Sequence, residues 1–178
     1  ALPIFEMLRF IGLSGDRSLL PFAENSLAFM KQFRVPRAAQ VWEVPVHTPD
    51  ILASSDAVEA YILGYELTGK QDYLDEARYW ARTGLPFLYT WHEQDQPLML
   101  YASIPVFGAS QFTVSWFGRP VQWNGLRFAR AIQRLAEYDS TFDWNQIAEG
   151  IVVSATYQMH LEGEDIALWP DNIGLVKG

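Results

Sequence analysis

The sequence contains no cysteine among its 178 residues. Disulfide bonds, thiolate metal ligands and cysteine nucleophiles are therefore excluded. No apolar run approaches the roughly 18 residues that are needed to cross a bilayer. The first residues, Ala1 to Glu6, have neither an initiator methionine nor the layout of a signal peptide, so we expect the numbering to begin inside a longer or processed product.

Basic side chains are scarce, and the acidic ones are unevenly spread. Residues 1–134 carry 13 acidic and 12 basic side chains, whereas residues 135–178 carry eight acidic side chains and one basic one, Lys177. The net charge is −8. Because no basic stripe is left over to neutralise phosphates, we expect neither a nucleic-acid partner nor an anionic membrane surface.

The common catalytic and cofactor motifs are also missing. The chain has no Gly-rich phosphate loop, no nucleophile elbow of the Gly-x-Ser-x-Gly type and no kinase signature. Neither His92 nor His160 has a second histidine or a carboxylate at metal-ligand spacing. We therefore expect no bound metal and no cofactor.

What the sequence does contain is a helical periodicity that groups into pairs. Apolar residues recur at helical spacing in six segments, which predict three helical hairpins. In the second hairpin, Thr48 and Pro49 are interpreted as an N-cap and the first helical residue, Asp50 as an acid of the first turn, and Asp72 as the cap of the next helix. The predicted segments are about 4–12, 18–33, 48–68, 72–82, 120–136 and 143–159.

The hairpins are repeats of one another. Leu13-Ser14-Gly15 matches Leu67-Thr68-Gly69 at an offset of 54 residues, and an apolar pattern follows each of them. The third copy, over residues 135–148, has no glycine at this turn. A period near 50 residues that is built from two helices is typical of stacked hairpins, in which no unit buries its apolar face alone.

The turn motif also resembles a known fold. A buried helix that ends in Leu67-Thr68-Gly69, followed by Tyr73-Leu74 and then Ala77, resembles the hairpin turn of α/α toroids, the six-hairpin glycosidases and toroidal polysaccharide lyases. The resemblance implies an all-α domain over residues 1–178, with three stacked hairpins that form half of a toroid. The exposed flanks of the first and last hairpins would be covered by a second copy, by the rest of a longer polypeptide, or through a distorted closure.

One segment interrupts the helical pattern. Residues 98–101 and 112–116 are rich in β-branched and aromatic side chains, and Pro105 and Gly108 lie between them. This predicts a short β-like insertion around residues 97–118, either a hairpin or a long ordered loop. Loops of this length in compact domains are usually functional.

Unusual residues collect in the links from each outer helix to the next inner helix, which lie at one end of a toroid. Each link has a tryptophan near a proline and a charged residue. This combination is suited to binding a sugar, because indole rings stack on the apolar face of a pyranose and polar groups bond its hydroxyls. We therefore expect an oligosaccharide or polysaccharide partner. The candidate residues in the links are Trp42, Glu43, His47, Trp116, Arg119, Gln122, Trp123, Trp169 and Asp171.

These residues support a glycoside hydrolase hypothesis. Glu43 and Asp171 would be the paired carboxylates, and His47 would orient substrate or move a proton. The structural alternatives are that Glu43 and Asp171 cap helices, that His47 is hydrogen-bonded within the fold, and that the tryptophans fill the space between layers.

Two other functions stay open. A polysaccharide lyase would use Tyr101 or His47 as a proton carrier, and Arg119 or Asn124 to neutralise a uronate. A non-catalytic sugar-binding or assembly domain would use the same fold. A stripe of Arg127, Arg130 and Arg134 predicts ion pairs with Glu137, Asp139 or Glu149, or else an interface.

Overall fold

The computed structural model describes residues 1–37, 39, 48–95, 97–106, 118–170 and 173. Within these ranges the chain forms six α-helices and three short 3-10 helices, at Arg17–Leu19, Leu85–Phe87 and Pro97–Met99. The α-helices confirm the three predicted hairpins. They are α1 (Leu2–Ser14), α2 (Leu20–Met30), α3 (Ile51–Thr68), α4 (Gln71–Gly84), α5 (Gln122–Ala136) and α6 (Trp144–Tyr157).

Two glycines end the inner helices of the first two hairpins in the same way. Gly15 and Gly69 have φ angles of 73° and 71°, in the left-handed region where a side chain is strained. Their N–H groups donate to the carbonyls of Ile11 and Tyr65, four residues earlier. The repeat seen in the sequence is therefore a repeated helix ending, and α1 runs past its expected end at Gly12.

The helices form two layers. The inner layer consists of α1, α3 and α5, with α1 and α5 both packed against α3, and the outer helices α2, α4 and α6 pack over it. α3 lies in the middle and is buried without interruption from Ile51 to Ile62. Its polar groups are bonded to neighbours: the Tyr61 hydroxyl donates to the Leu27 carbonyl of α2, and the Ser55 hydroxyl donates to the Arg127 carbonyl of α5.

The helix starts differ from the sequence interpretation in the second hairpin. Asp50, and not Thr48, is the N-cap of α3, because its Oδ1 accepts the Ala53 N–H at 2.7 Å. In the next helix Lys70 occupies the N-cap position without a side-chain capping bond, and Asp72 lies in the first turn. Local sequence could not separate Thr48 from Asp50, since either side chain could accept the free N–H groups at the start of a helix.

The expected β-like insertion around residues 97–118 is only partly described. Residues 97–106 contain a 3-10 helix and isolated β-bridges, Leu88 to Ser103 and Asp50 to Val106, and no strand. Residues 107–117 lie outside the described residues.

None of the helices in the described ranges is long and apolar enough to cross a membrane.

The close approach of α4 to α5 gives a test of this packing. A β-carbon at Gly84 would lie 2.3 Å from Cε2 of the fully buried Phe128, so we expect Gly84→Ala to lower the free energy of unfolding by about 1–3 kcal/mol. Gly12→Ala in α1 is the control. A β-carbon there meets nothing within 4 Å, and we expect a gain of about 0.5–1 kcal/mol. Urea denaturation of both variants measures the difference, and equal effects would contradict this packing.

Candidate functional site

Backbone hydrogen bonds bring the links together at the N-terminal ends of α3 and α5. The Asp50 N–H donates to the Pro36 carbonyl at 3.0 Å, and the Ile51 N–H donates to the Pro105 carbonyl at 3.1 Å. The first link and the segment before α5 therefore meet at the start of α3.

The segment after α6 reaches the same end of the molecule. The Gln122 side chain donates to the Pro170 carbonyl at 2.9 Å, and the Ile173 N–H donates to the Pro120 carbonyl at 3.1 Å. In the part of the chain that the structure describes, the three outer-to-inner links thus lie side by side. Ends that carry loops from several helices commonly hold binding sites.

Half of the predicted site residues can be placed. Trp42, Glu43, His47, Trp116 and Asp171 lie outside the described residues. The remaining five, Tyr101, Arg119, Gln122, Trp123 and Trp169, all belong to the links or to the first turn of α5.

Of the tryptophans predicted for the site, the two that the structure describes lie at the common end. Trp123 is half-buried and packs against Val106 and Val121. The indole N–H of Trp169 donates to the Ala155 carbonyl at 2.8 Å, near the end of α6, while 47% of the residue remains exposed. Trp169 therefore combines a fixed ring with a surface that a ligand can reach.

Tyr101, Gln122 and Arg119 differ in accessibility. Tyr101 has a positive φ of 63° and its ring packs on α6 at Gly150, where a β-carbon would lie 2.1 Å from Cδ2. Gln122 is 4% exposed, and its amide joins the third link to the start of α5. Arg119 lies three residues before Gln122, in the segment that precedes α5, and is half-buried.

The structure also reveals acidic residues on α3 that the sequence analysis did not select. At about 3.6 residues per turn, Asp56 and Glu59 lie on the side of α3 away from Ser54, which bonds Thr83 of the outer helix α4. We call them the inner-face carboxylates. They are 5% and 3% exposed. The sequence did contain a signal for these two residues, because they are charged and lie inside a helix of small and apolar residues. Charged residues are almost never buried without partners.

These carboxylates pair with the arginine stripe of α5. Nη2 of Arg127 lies 2.8 Å from Oδ1 of Asp56, and Nε of Arg130 lies 3.5 Å from Oε1 of Glu59. Further along, Arg134 bonds Glu66 at 2.7 Å. The predicted pairing with Glu137, Asp139 or Glu149 is therefore wrong, because these arginines face the neighbouring inner helix.

Asp56 has an unusual proton affinity. Burial raises its pKa from 3.8 to about 6, against the opposing attraction of Arg127 and the α-amino group of Ala1. The negative charges of Glu59 and Asp50 raise the pKa of Asp56 further. A carboxyl group that titrates near neutral pH can give and take protons in acid and base catalysis.

No group of three or more potential ligands within the described ranges could hold a metal ion.

The two-layered arrangement of three hairpins is half of an α/α toroid. The chain is similar to a glycoside hydrolase family 76 mannosidase from Bacteroides thetaiotaomicron, with 11% identity and a TM-score of 0.61 over 87% of this chain and 42% of that one. It is also similar to unsaturated glucuronyl hydrolase from Bacillus sp. GL1, with 14% identity and a TM-score of 0.58 over 85% of this chain and 44% of that one.

A further similar structure is described as UGL with dGlcA-Glc-Rha-Glc, with 14% identity and a TM-score of 0.60 over 85% of this chain and 44% of that one. The chain thus spans less than half the length of these solved structures. No protein-family model matches the sequence, and no curated protein matches it significantly. At these identities the similarities show the fold alone.

The raised pKa of Asp56 predicts a pH-dependent stability. Because the folded pKa of about 6 exceeds the ordinary 3.8, the folded state holds the proton more tightly, and unfolding becomes easier as the pH rises from about 4 to 6. Over this window we expect the free energy of unfolding of the wild type to fall by up to about 3 kcal/mol relative to that of Asp56→Asn. Urea denaturation of both proteins at pH 4, 5, 6 and 7 measures this difference. Curves that stay parallel would show that Asp56 does not titrate here.

Proposed function

We propose that this half toroid belongs to a carbohydrate-active enzyme that hydrolyses glycosidic bonds at the end where the links meet. The observation that carries the proposal is the convergence of the links, with Trp123 and the exposed Trp169 beside them. Indole rings offer stacking surfaces for pyranose rings, and polar side chains beside them take the hydroxyl groups. The glycoside hydrolases among the similar structures support the same class of substrate.

The proposed chemistry uses two carboxyl groups. Glu43 and Asp171 are the proposed pair, in which one protonates the leaving oxygen while the other activates water or attacks the anomeric carbon. His47 is proposed to orient the substrate or transfer a proton. Asp56, with its pKa of about 6, is a further candidate for the acid, since it holds a proton closer to neutral pH than an ordinary aspartate.

Substrate binding is assigned to the aromatic and polar side chains of the links. The tryptophans would stack on sugar rings, and the polar groups would bond hydroxyl groups or acidic substituents. The proposed binding residues are Trp42, Tyr101, Trp116, Arg119, Gln122, Trp123 and Trp169.

The lyase alternative requires Tyr101 to reach the substrate ring. Its aromatic ring packs tightly against Gly150 of α6, which favours hydrolysis over elimination. The non-catalytic alternative predicts binding without turnover.

Turnover on defined sugars tests the proposal. With mannosides and unsaturated glucuronyl oligosaccharides as probes, we expect new reducing ends for wild type and none for Glu43→Gln, with binding kept within a few-fold. Glu6→Gln, an exposed glutamate of α1 that pairs with Arg9, is the matched control and should keep full turnover.

Other outcomes separate the remaining functions. Unchanged turnover in Glu43→Gln would remove Glu43 from the mechanism. On a saturated uronate polysaccharide, the formation of an unsaturated product that absorbs ultraviolet light would establish a lyase, whereas tight binding without any product would establish a binding module.

A further inference from the structure

We propose that Trp91 forms a further sugar-binding subsite at the common end, so that the protein takes a chain of several sugar units and not a single sugar. The inference rests on the proposed function above, because such a subsite has a use only where a carbohydrate binds. It concerns a residue of the link between α4 and α5 that the sequence analysis did not select.

Exposure separates the tryptophans in the described part of the chain. Trp80 and Trp144 are 3% and 1% exposed and belong to the hydrophobic core, and Trp123 is half-buried. Trp91 and Trp169 are 54% and 47% exposed, and each follows an outer helix at the common end. Burying an indole ring is favourable, so two half-exposed indoles at one end favour a surface that a ligand covers.

The ring of Trp91 is held in place by Tyr89. The two ring centroids lie 6.0 Å apart and the ring planes are nearly perpendicular, at 88°. Tyr89 is itself fixed, because its hydroxyl donates to the Gly118 carbonyl at 2.7 Å and its N–H donates to the Ala102 carbonyl at 3.0 Å. A ring that is already fixed and still half-exposed loses little entropy when a sugar stacks on it.

The support of Trp91 also ties it to the rest of the candidate site. Gly118 lies in the short segment that leads into α5, and Gln122 at the start of α5 bonds the link that carries Trp169. The two exposed indoles are thus placed beside the same segment, while each is held by a different support. One pyranose ring stacks on one indole face, so a chain of several sugars is the class of ligand that uses both.

A hydrogen-bonding group follows Trp91 directly in the chain. Nδ1 of the exposed His92 lies 2.9 Å from the Glu93 carbonyl oxygen, which can only accept, so Nδ1 carries a proton. In the neutral imidazole, Nε2 is then an acceptor for a sugar hydroxyl. An aromatic face combined with a few polar groups is the arrangement that orients a ligand of this kind.

Binding measured against chain length tests the subsite. The probes are mannosides and unsaturated glucuronyl oligosaccharides, each with two and with six sugar units. Titration calorimetry gives the dissociation constant of a probe that stays intact, and kcat/KM replaces it for a probe that is hydrolysed. For the series that binds wild type, we expect Trp91→Ala to weaken the six-unit probe by about three- to tenfold and to leave the two-unit probe unchanged. Trp91→Phe keeps an aromatic face and should retain most of the affinity.

Phe142→Ala is the matched control, because Phe142 is an aromatic residue that is 45% exposed at the opposite end, between α5 and α6. It should treat both lengths as wild type does, and circular dichroism checks that every variant is folded. No effect of Trp91→Ala on the six-unit probe, or equal effects on both lengths, would overturn the subsite even where wild type hydrolyses the sugar. Length-dependent binding that needs Trp91 but gives no product would overturn hydrolysis and support the subsite. A wild type that binds neither series would overturn both.

Discussion

The structure depends on burying one helix, α3, from all sides. Its small residues allow neighbouring helices to approach closely, as at Gly64 against Leu27 and Tyr73. A helix buried this completely must have partners for its polar groups, because an unpaired buried group is costly. Tyr61 and Ser55 find them on backbone carbonyls of α2 and α5, so the same contacts that satisfy α3 position the first and third hairpins around it.

Ion pairs also join two helices of the inner layer, α3 and α5. Arg127 and Arg130 bridge α5 to the inner-face carboxylates of α3, which fixes the relation of the second hairpin to the third. The same burial that makes these pairs structural also shifts the proton affinity of Asp56 toward neutral pH. Asp56 therefore takes part in an ion pair that holds the helices together and is also a candidate for proton transfer, and shifted pKa values of this kind cluster at functional sites.

The stacking of hairpins explains why the candidate site lies at one end. Every outer-to-inner link returns to the same end, so aromatic and polar residues that are far apart in sequence become neighbours. Gln122 shows this directly, since its side chain bonds the link that follows α6. The proposed carboxylates Glu43 and Asp171 belong to links whose neighbouring residues meet here.

The sequence by itself determined the helical hairpins and the glycine ending that the first two share, because these depend on local periodicity and on Gly15 and Gly69, which adopt left-handed angles cheaply. It did not determine which residue caps α3, where Asp50 replaced Thr48, or which carboxylates the arginines of α5 bind. Only the tertiary structure decided these points. Hydrogen bonds and ion pairs between residues about 70 positions apart, such as Asp56 and Arg127, follow from how the layers pack and leave no local pattern in the sequence.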